Sequence, residues 1–185
     1  TVSDNGIGMS QEELENNLGV IASSGSLKFR QEVAGDERDD TDIIGQFGVG
    51  FYSAFMVASK VTVVSRAEGS EEAWQWSSSG VEGYTLTEAE KPEVGTEITL
   101  VLKEDTETDK YSEYLDEYTI SGLVKKYSDY IRYPITMYRE KSRQKPKPED
   151  AGDDYKPEYE TYTELETLNS MVPIWKRDKK DVKPE

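Results

Sequence analysis

The stretch Gly45 to Ser53 reads G-Q-F-G-V-G-F-Y-S, three glycines at spacings of three and two that run straight into the apolar residues Phe51 to Val57. The pattern predicts a glycine-rich turn opening a helix. Glycine takes positive φ and lets another group approach the backbone, and the first amides of a helix are unpaired donors at its positive end. Such a turn suits a phosphate. Taken alone, the stretch fits a tight loop before a buried helix equally well, so a second element has to decide it.

That element is Asp4-Asn5-Gly6-Ile7-Gly8-Met9, a two-glycine turn with a carboxylate at its start. D-x-G-x-G arises by chance in roughly one chain of this length in twenty, and G-x-x-G-x-G about as often; both together, in this order, fall to the order of a few in a thousand. The two turns are chemically complementary. A carboxylate only accepts hydrogen bonds, which suits an exocyclic amine such as that of adenine and not the carbonyl of guanine, while backbone amides suit phosphates. No G-x-x-x-x-G-K-[ST] occurs, which excludes a P-loop. A Rossmann fingerprint is excluded as well, because no strand leads into Gly45 and no βαβ unit follows.

Composition removes other classes. The 185 residues carry 22 basic and 38 acidic side chains, a formal charge of -16, so a nucleic acid would be repelled. The absence of cysteine and histidine rules out disulfides, thiolate nucleophiles, Ser-His-Asp triads and imidazole bases, leaving carboxylates, Lys, Tyr, hydroxyls and backbone amides for any chemistry. No apolar run approaches the roughly 18 residues of a membrane span. Thr1-Val2-Ser3 reads as the end of a strand already under way, and the chain is expected to be a fragment.

In chain order, Ser10 with Glu13 forms a capping box, Leu14 and Leu18 share a helix face, and Gly19 stands where a left-handed cap belongs. Asn16 and Asn17 read as solvent-exposed, with Asn17 also placed to face a ligand. Val20 to Ile44 is polar and glycine-flanked, which fits a hinged lid or a surface loop. Lys60–Arg66, Ala73–Ser77, Tyr84–Glu88 and Thr96–Leu102 read as an antiparallel meander, with Trp74 and Trp76 on one face. Glu104 to Glu117 is acidic and leads into short helical turns. Thr119 to Ile131 is an amphipathic helix whose stripe is Ile120, Leu123, Val124, Tyr127 and Ile131, and Ile135–Arg139 is one more strand. Residues 141–164 form a charged connection with three prolines, and 165–185 recovers apolar residues that dock onto this or a following domain.

Together D-N-G-I-G-M, N-N-L-G-V-I-A-S-S-G, I-G-Q-F-G-V-G-F-Y-S, G-T-E-I-T-L and the late P-I-W resemble the heat-shock protein 90 chaperones, bacterial branch, over nearly the whole chain. The resemblance implies an α/β two-layer sandwich, a mixed and mostly antiparallel sheet with helices on one face, as in gyrase, histidine kinases and mismatch-repair proteins. It also implies ATP or ADP with Mg2+ as cofactors. Asp4 would hold the adenine amino group, Gly8 and Met9 line the base, Asn17 reach the ribose and phosphates, and Thr96 join Asp4 through water. Gly48, Val49, Gly50 and Phe51 would offer amides to the phosphates, and 20–44 would close as the lid. Residues 1–140 would be the ATP-binding domain without its first strand and helices. The general-base Glu and the magnesium-coordinating Asn would lie upstream of Thr1, so no catalytic residue is expected in the chain. Ser23 stands where most members carry Lys. The resemblance further implies a cytoplasmic ATPase chaperone acting on unfolded client proteins and dimerising through a C-terminal domain, with no nucleic acid and no membrane. The competing reading is a non-catalytic acidic protein-interaction module.

Overall fold

Strand residues alternate between two faces, and this chain uses the alternation to build one apolar and one hydroxyl-rich surface. The computed structural model describes residues 1–19, 50–146, 156–173 and 176, which divide into two units, Thr1–Tyr111 and Ser112–Glu185. The expected lid at 20–44 and the amides of Gly48 and Val49 lie outside the described residues.

In the first unit, β1 (Val2–Asp4), β2 (Ala58–Arg66), β3 (Ala73–Ser78), β4 (Tyr84–Ala89) and β5 (Gly95–Leu102) form a sheet of order β1-β5-β2-β3-β4. Every pairing in it is antiparallel. β2, β3 and β4 form the expected meander, but β5 does not continue it: it crosses back to lie between β1 and β2. The reason is burial. β4 is largely exposed along its length and suits an edge, whereas β5 carries Ile98 and Leu100, which pack against the core beside Val63 and Val61.

The register lines up rows of side chains on one face. Val2, Ile98, Val63, Trp76 and Leu86 form an apolar row across all five strands. Against this face pack α1 (Gln11–Leu18), through Leu14 and Leu18, and a 3-10 turn (Gly50–Ser53) leading into α2 (Ala54–Val57), through Phe51, Ala54 and Phe55. This is the expected two-layer α/β arrangement. The opposite face carries Lys60, Thr62, Gln75, Ser77, Thr85, Thr87, Glu97 and Thr99, with Thr62 and Ser77 hydroxyls 3.3 Å apart.

Local signals read at the sequence level hold at the start of α1 and fail at its end. The Ser10 hydroxyl accepts from the Glu13 amide and the Glu13 carboxylate accepts from the Ser10 amide, the reciprocal capping box. Gly19, however, is right-handed at φ -83. Its lack of a side chain serves space instead: a Cβ there would meet the Tyr84 ring at 2.8 Å.

A 3-10 turn that starts on the last residue of the first unit (Tyr111–Leu115) leads into the second, where α3 (Glu117–Tyr127) follows, its N-cap Asp116 accepting from the Thr119 amide at 2.7 Å. β6 (Thr136–Gln144) and β7 (Tyr159–Thr167) pair antiparallel. Both strands run into the segment expected to be a charged connection from 141 to 164. Alternation accounts for the extension, because one face of the hairpin is a ladder of opposite charges: Arg139 with Glu166 at 3.2 Å, Lys141 with Glu164 at 2.9 Å and Arg143 with Glu160 at 2.6 Å. A charge-rich strand can form without a core when its partner carries the complement. The expected apolar stripe of α3 is not buried: Ser121 is its one buried residue, while Leu123 and Tyr127 are 38% and 60% exposed. A two-stranded hairpin, the only sheet among this unit's described residues, offers too little area to cover it.

Candidate functional site

Three loops converge at the polar end of the apolar sheet face. Asp4, Thr96, Ser65, Trp74 and Glu88 form the row next to the apolar one, so the Asp4 and Thr96 side chains stand side by side on the helix-covered face. The turn after β1 then folds back over β2. Gly8 sits at φ +66, and a Cβ there would overlap the Arg66 carbonyl oxygen. The Ile7 carbonyl accepts from the Glu68 amide at 2.7 Å, and the Met9 amide donates to the Ser65 hydroxyl at 2.8 Å. Gly95, at φ +122, lets the Asp4 carbonyl pass where a Cβ would stand. The Arg66 guanidinium closes the arrangement from the other side by donating to the Ser70, Lys91 and Pro92 carbonyls, which holds the turns on either side of it.

Asp4 is exposed and its Oδ1 accepts from the Gly6 amide at 2.9 Å, an Asx turn that orients the carboxylate. Oδ2 has no protein partner among the described residues, so one acceptor remains for a ligand. Thr96 is 7% exposed and its hydroxyl lies 2.9 Å from that of Ser65, itself wholly buried. The structure thus brings Asp4, Gly8, Met9 and Thr96 together. Asn17 lies apart from them in sequence, half-buried in the last turn of α1. Gly50 is exposed, with no described atom where a Cβ would stand, while the Phe51 ring packs against the core, edge-on to Trp76 with centroids 5.6 Å apart. The expected helix after the glycine run is a single 3-10 turn followed by the four-residue α2.

Two tyrosines hold the end of α1. The Tyr52 hydroxyl donates to the Leu18 carbonyl at 3.1 Å, satisfying a helix-terminal acceptor, and the Tyr84 hydroxyl donates to Glu15 at 3.0 Å. Tyr84 also stacks on Trp76, with centroids 5.9 Å apart. The hydrogen bond to Glu15, then burial, raise the Tyr84 pKa above its usual value; burial alone raises that of Tyr52. Both phenols therefore stay protonated, and donating, throughout the physiological range.

Sequence reading missed Ser65, Arg66 and Gly95 as site-building residues. Ser65 had a signal: it is the one inward-facing polar position in K-V-T-V-V-S-R, where Val61 and Val63 are the other inward residues. Gly95 precedes Thr96 at a strand start, and its need becomes visible only once β1 is known to pass beside it. Among the described residues no group of three or more His, Cys, Asp or Glu could hold a metal ion, and no helix is long and apolar enough to cross a membrane.

Residues 1–108 match the family described as histidine kinase-, DNA gyrase B-, and HSP90-like ATPase, and residues 113–159 match the Hsp90 protein family. The chain is 55% identical, over 184 residues, to a chaperone protein HtpG of Clostridium botulinum (strain Loch Maree / Type A3). It is 55% identical over 185 residues to the HtpG proteins of Clostridium acetobutylicum and Halalkalibacterium halodurans. Each alignment takes in the whole chain and 28% of the relative's length. With more than half of its residues matched by that family, and with the site-bearing unit Thr1–Tyr111 almost wholly inside the match, the chain belongs to the histidine kinase-, DNA gyrase B- and HSP90-like ATPases, on their Hsp90 side.

Proposed function

We propose that this chain is the nucleotide-binding segment of an ATP-dependent molecular chaperone of the HtpG type. The observation that carries the reading is the row Asp4–Thr96–Ser65 with the Gly8–Met9 turn tied across it, a corner rich in acceptors and walled by backbone. Asp4 accepts a hydrogen from the adenine amino group, and Thr96 completes that side through water. Gly8 and Met9 lie along the base. Asn17 serves the ribose and phosphates, and the amides of Gly48, Val49, Gly50 and Phe51 serve the phosphates. Of these, Gly50 is exposed, which fits an anion approaching a chain whose acidic side chains would otherwise repel it. ATP or ADP fits the donor and acceptor set. Mg2+ would enter on the nucleotide's phosphates, the usual way this ion is held beside a nucleotide.

In this reading residues 1–140 belong to the ATP-binding domain with 20–44 as its lid, 141–164 continue from it through the paired ends of β6 and β7, and 165–185 close the domain and start the linker to a middle domain. Hydrolysis draws on a general-base Glu and a metal-binding Asn outside the chain. The parent protein is a cytoplasmic homodimer that assists the folding of client proteins and has ATPase activity.

Calorimetric titration of ADP into the full-length protein that carries this chain tests the assignment. Asp4→Ala removes a charged acceptor and is expected to weaken ADP about ten- to hundredfold, from a loss of about 1.5 to 3 kcal/mol. Equal affinity in the two proteins would overturn the role of Asp4.

A further inference from the structure

We propose that Ser65 sets base selectivity at this site by fixing the direction of the Thr96 hydroxyl, an inference that rests on the nucleotide reading above. A serine hydroxyl has one proton to give and two lone pairs to receive. Around the wholly buried Ser65 Oγ stand three groups: the Met9 amide at 2.8 Å, the Thr96 hydroxyl at 2.9 Å and the Gly95 carbonyl at 3.2 Å. The amide can only donate and takes one lone pair. The carbonyl can only accept and takes the proton. What remains for Thr96 is the second lone pair, so Thr96 must spend its own proton on Ser65.

The consequence appears one strand over. With its proton turned inward, Thr96 presents lone pairs alone to the corner it shares with Asp4, its direct cross-strand neighbour. Asp4 brings a carboxylate whose Oδ1 is occupied by the Gly6 amide. The corner therefore holds acceptors from two side chains and no side-chain donor from either. A 6-amino purine offers N–H groups there, directly or through a water. A 6-oxo purine puts a carbonyl oxygen against the same acceptors and has only its neighbouring N1–H to offer them, so the acceptors that face the 6-position are left unpaired, the more strongly discriminated arrangement. Ser65 touches no ligand; it is a positioning residue, acting through Thr96.

Removing the Ser65 acceptor frees the Thr96 hydroxyl to turn its proton outward, where it can donate to a 6-oxo group. ADP and inosine diphosphate differ at this position of the base, so the ratio of their affinities isolates the effect from general damage. In the full-length protein, Ser65→Ala is expected to lower the ADP-to-inosine-diphosphate ratio about tenfold, the scale of one hydrogen bond gained by one ligand and lost by the other. Ser65→Cys, which fills the same space with a weak acceptor, should lower it in the same direction, and Ser65→Thr, which restores the hydroxyl, should hold it near the wild-type value. A ratio unchanged in both Ser65→Ala and Ser65→Cys while ADP still binds would overturn the relay and leave the nucleotide site standing. Failure of the wild-type protein to bind ADP would instead overturn the nucleotide reading itself.

Discussion

Gly8→Ala is expected to abolish measurable ADP binding and to destabilise the first unit by roughly 3 kcal/mol. Two costs combine. At φ +66 an L side chain is strained, and its Cβ would overlap the Arg66 carbonyl oxygen, which belongs to backbone and cannot rotate away. The turn would have to lift off β2, breaking the Ile7–Glu68 and Met9–Ser65 hydrogen bonds that hold it over the Asp4–Thr96 row. Gly69 supplies the control, since it too has positive φ, +77, but open space where a Cβ would go. Gly69→Ala should cost only about 1 kcal/mol and leave ADP affinity intact. Denaturant midpoints and ADP titration of the two variants decide the matter: if Gly8→Ala is no more damaging than Gly69→Ala, the close approach of turn and strand is not what builds the site.

Trp76→Ala carries the second large effect, a loss of about 3 to 5 kcal/mol. The indole is 2% exposed in the apolar row, with the Phe51 ring edge-on at 5.6 Å and the Tyr84 ring stacked at 5.9 Å. Removing it opens a cavity between the sheet, the turn after the glycine run and the strand that holds α1 through Glu15. Its Nε1 has no hydrogen-bond partner among the described residues. Trp76→Phe gives up volume but also that donor, and should cost less than half as much as the alanine change. Urea denaturation of both variants tests this; a loss under 1 kcal/mol for Trp76→Ala would mean the indole is not the keystone of this layer.

What the sequence made legible follows the range of the interactions involved. The capping box needs residues three apart and was readable, as were the alternation of the strands and the shared face of the two tryptophans. The Asp4 turn was readable from its own two glycines, and motif resemblance put Thr96 on the same ligand as Asp4; that the two are cross-strand neighbours came from the fold. Strand order was not, because placing β5 between β1 and β2 depends on burial totals that no local window contains. The same holds for the end of α1, where Gly19 makes room for a ring 65 positions away. Amphipathic periodicity misled in α3, since a stripe records what a helix could bury and not whether its unit supplies a surface to bury it. Ser65 was passed over as an ordinary strand residue; its meaning lies in three partners drawn from two other segments, the turn after β1 and the start of β5.

The central claim is that ADP sits at the Asp4–Thr96 end of the first unit's sheet. Hydrogen exchange read by mass spectrometry on the full-length protein, with and without saturating ADP, tests it most directly. Peptides spanning residues 2–9 and 93–98 are predicted to gain protection, while those from β6 and β7, whose ladder is held by its own ion pairs, should exchange unchanged. Protection that falls elsewhere and spares residues 2–9 and 93–98 would contradict the account.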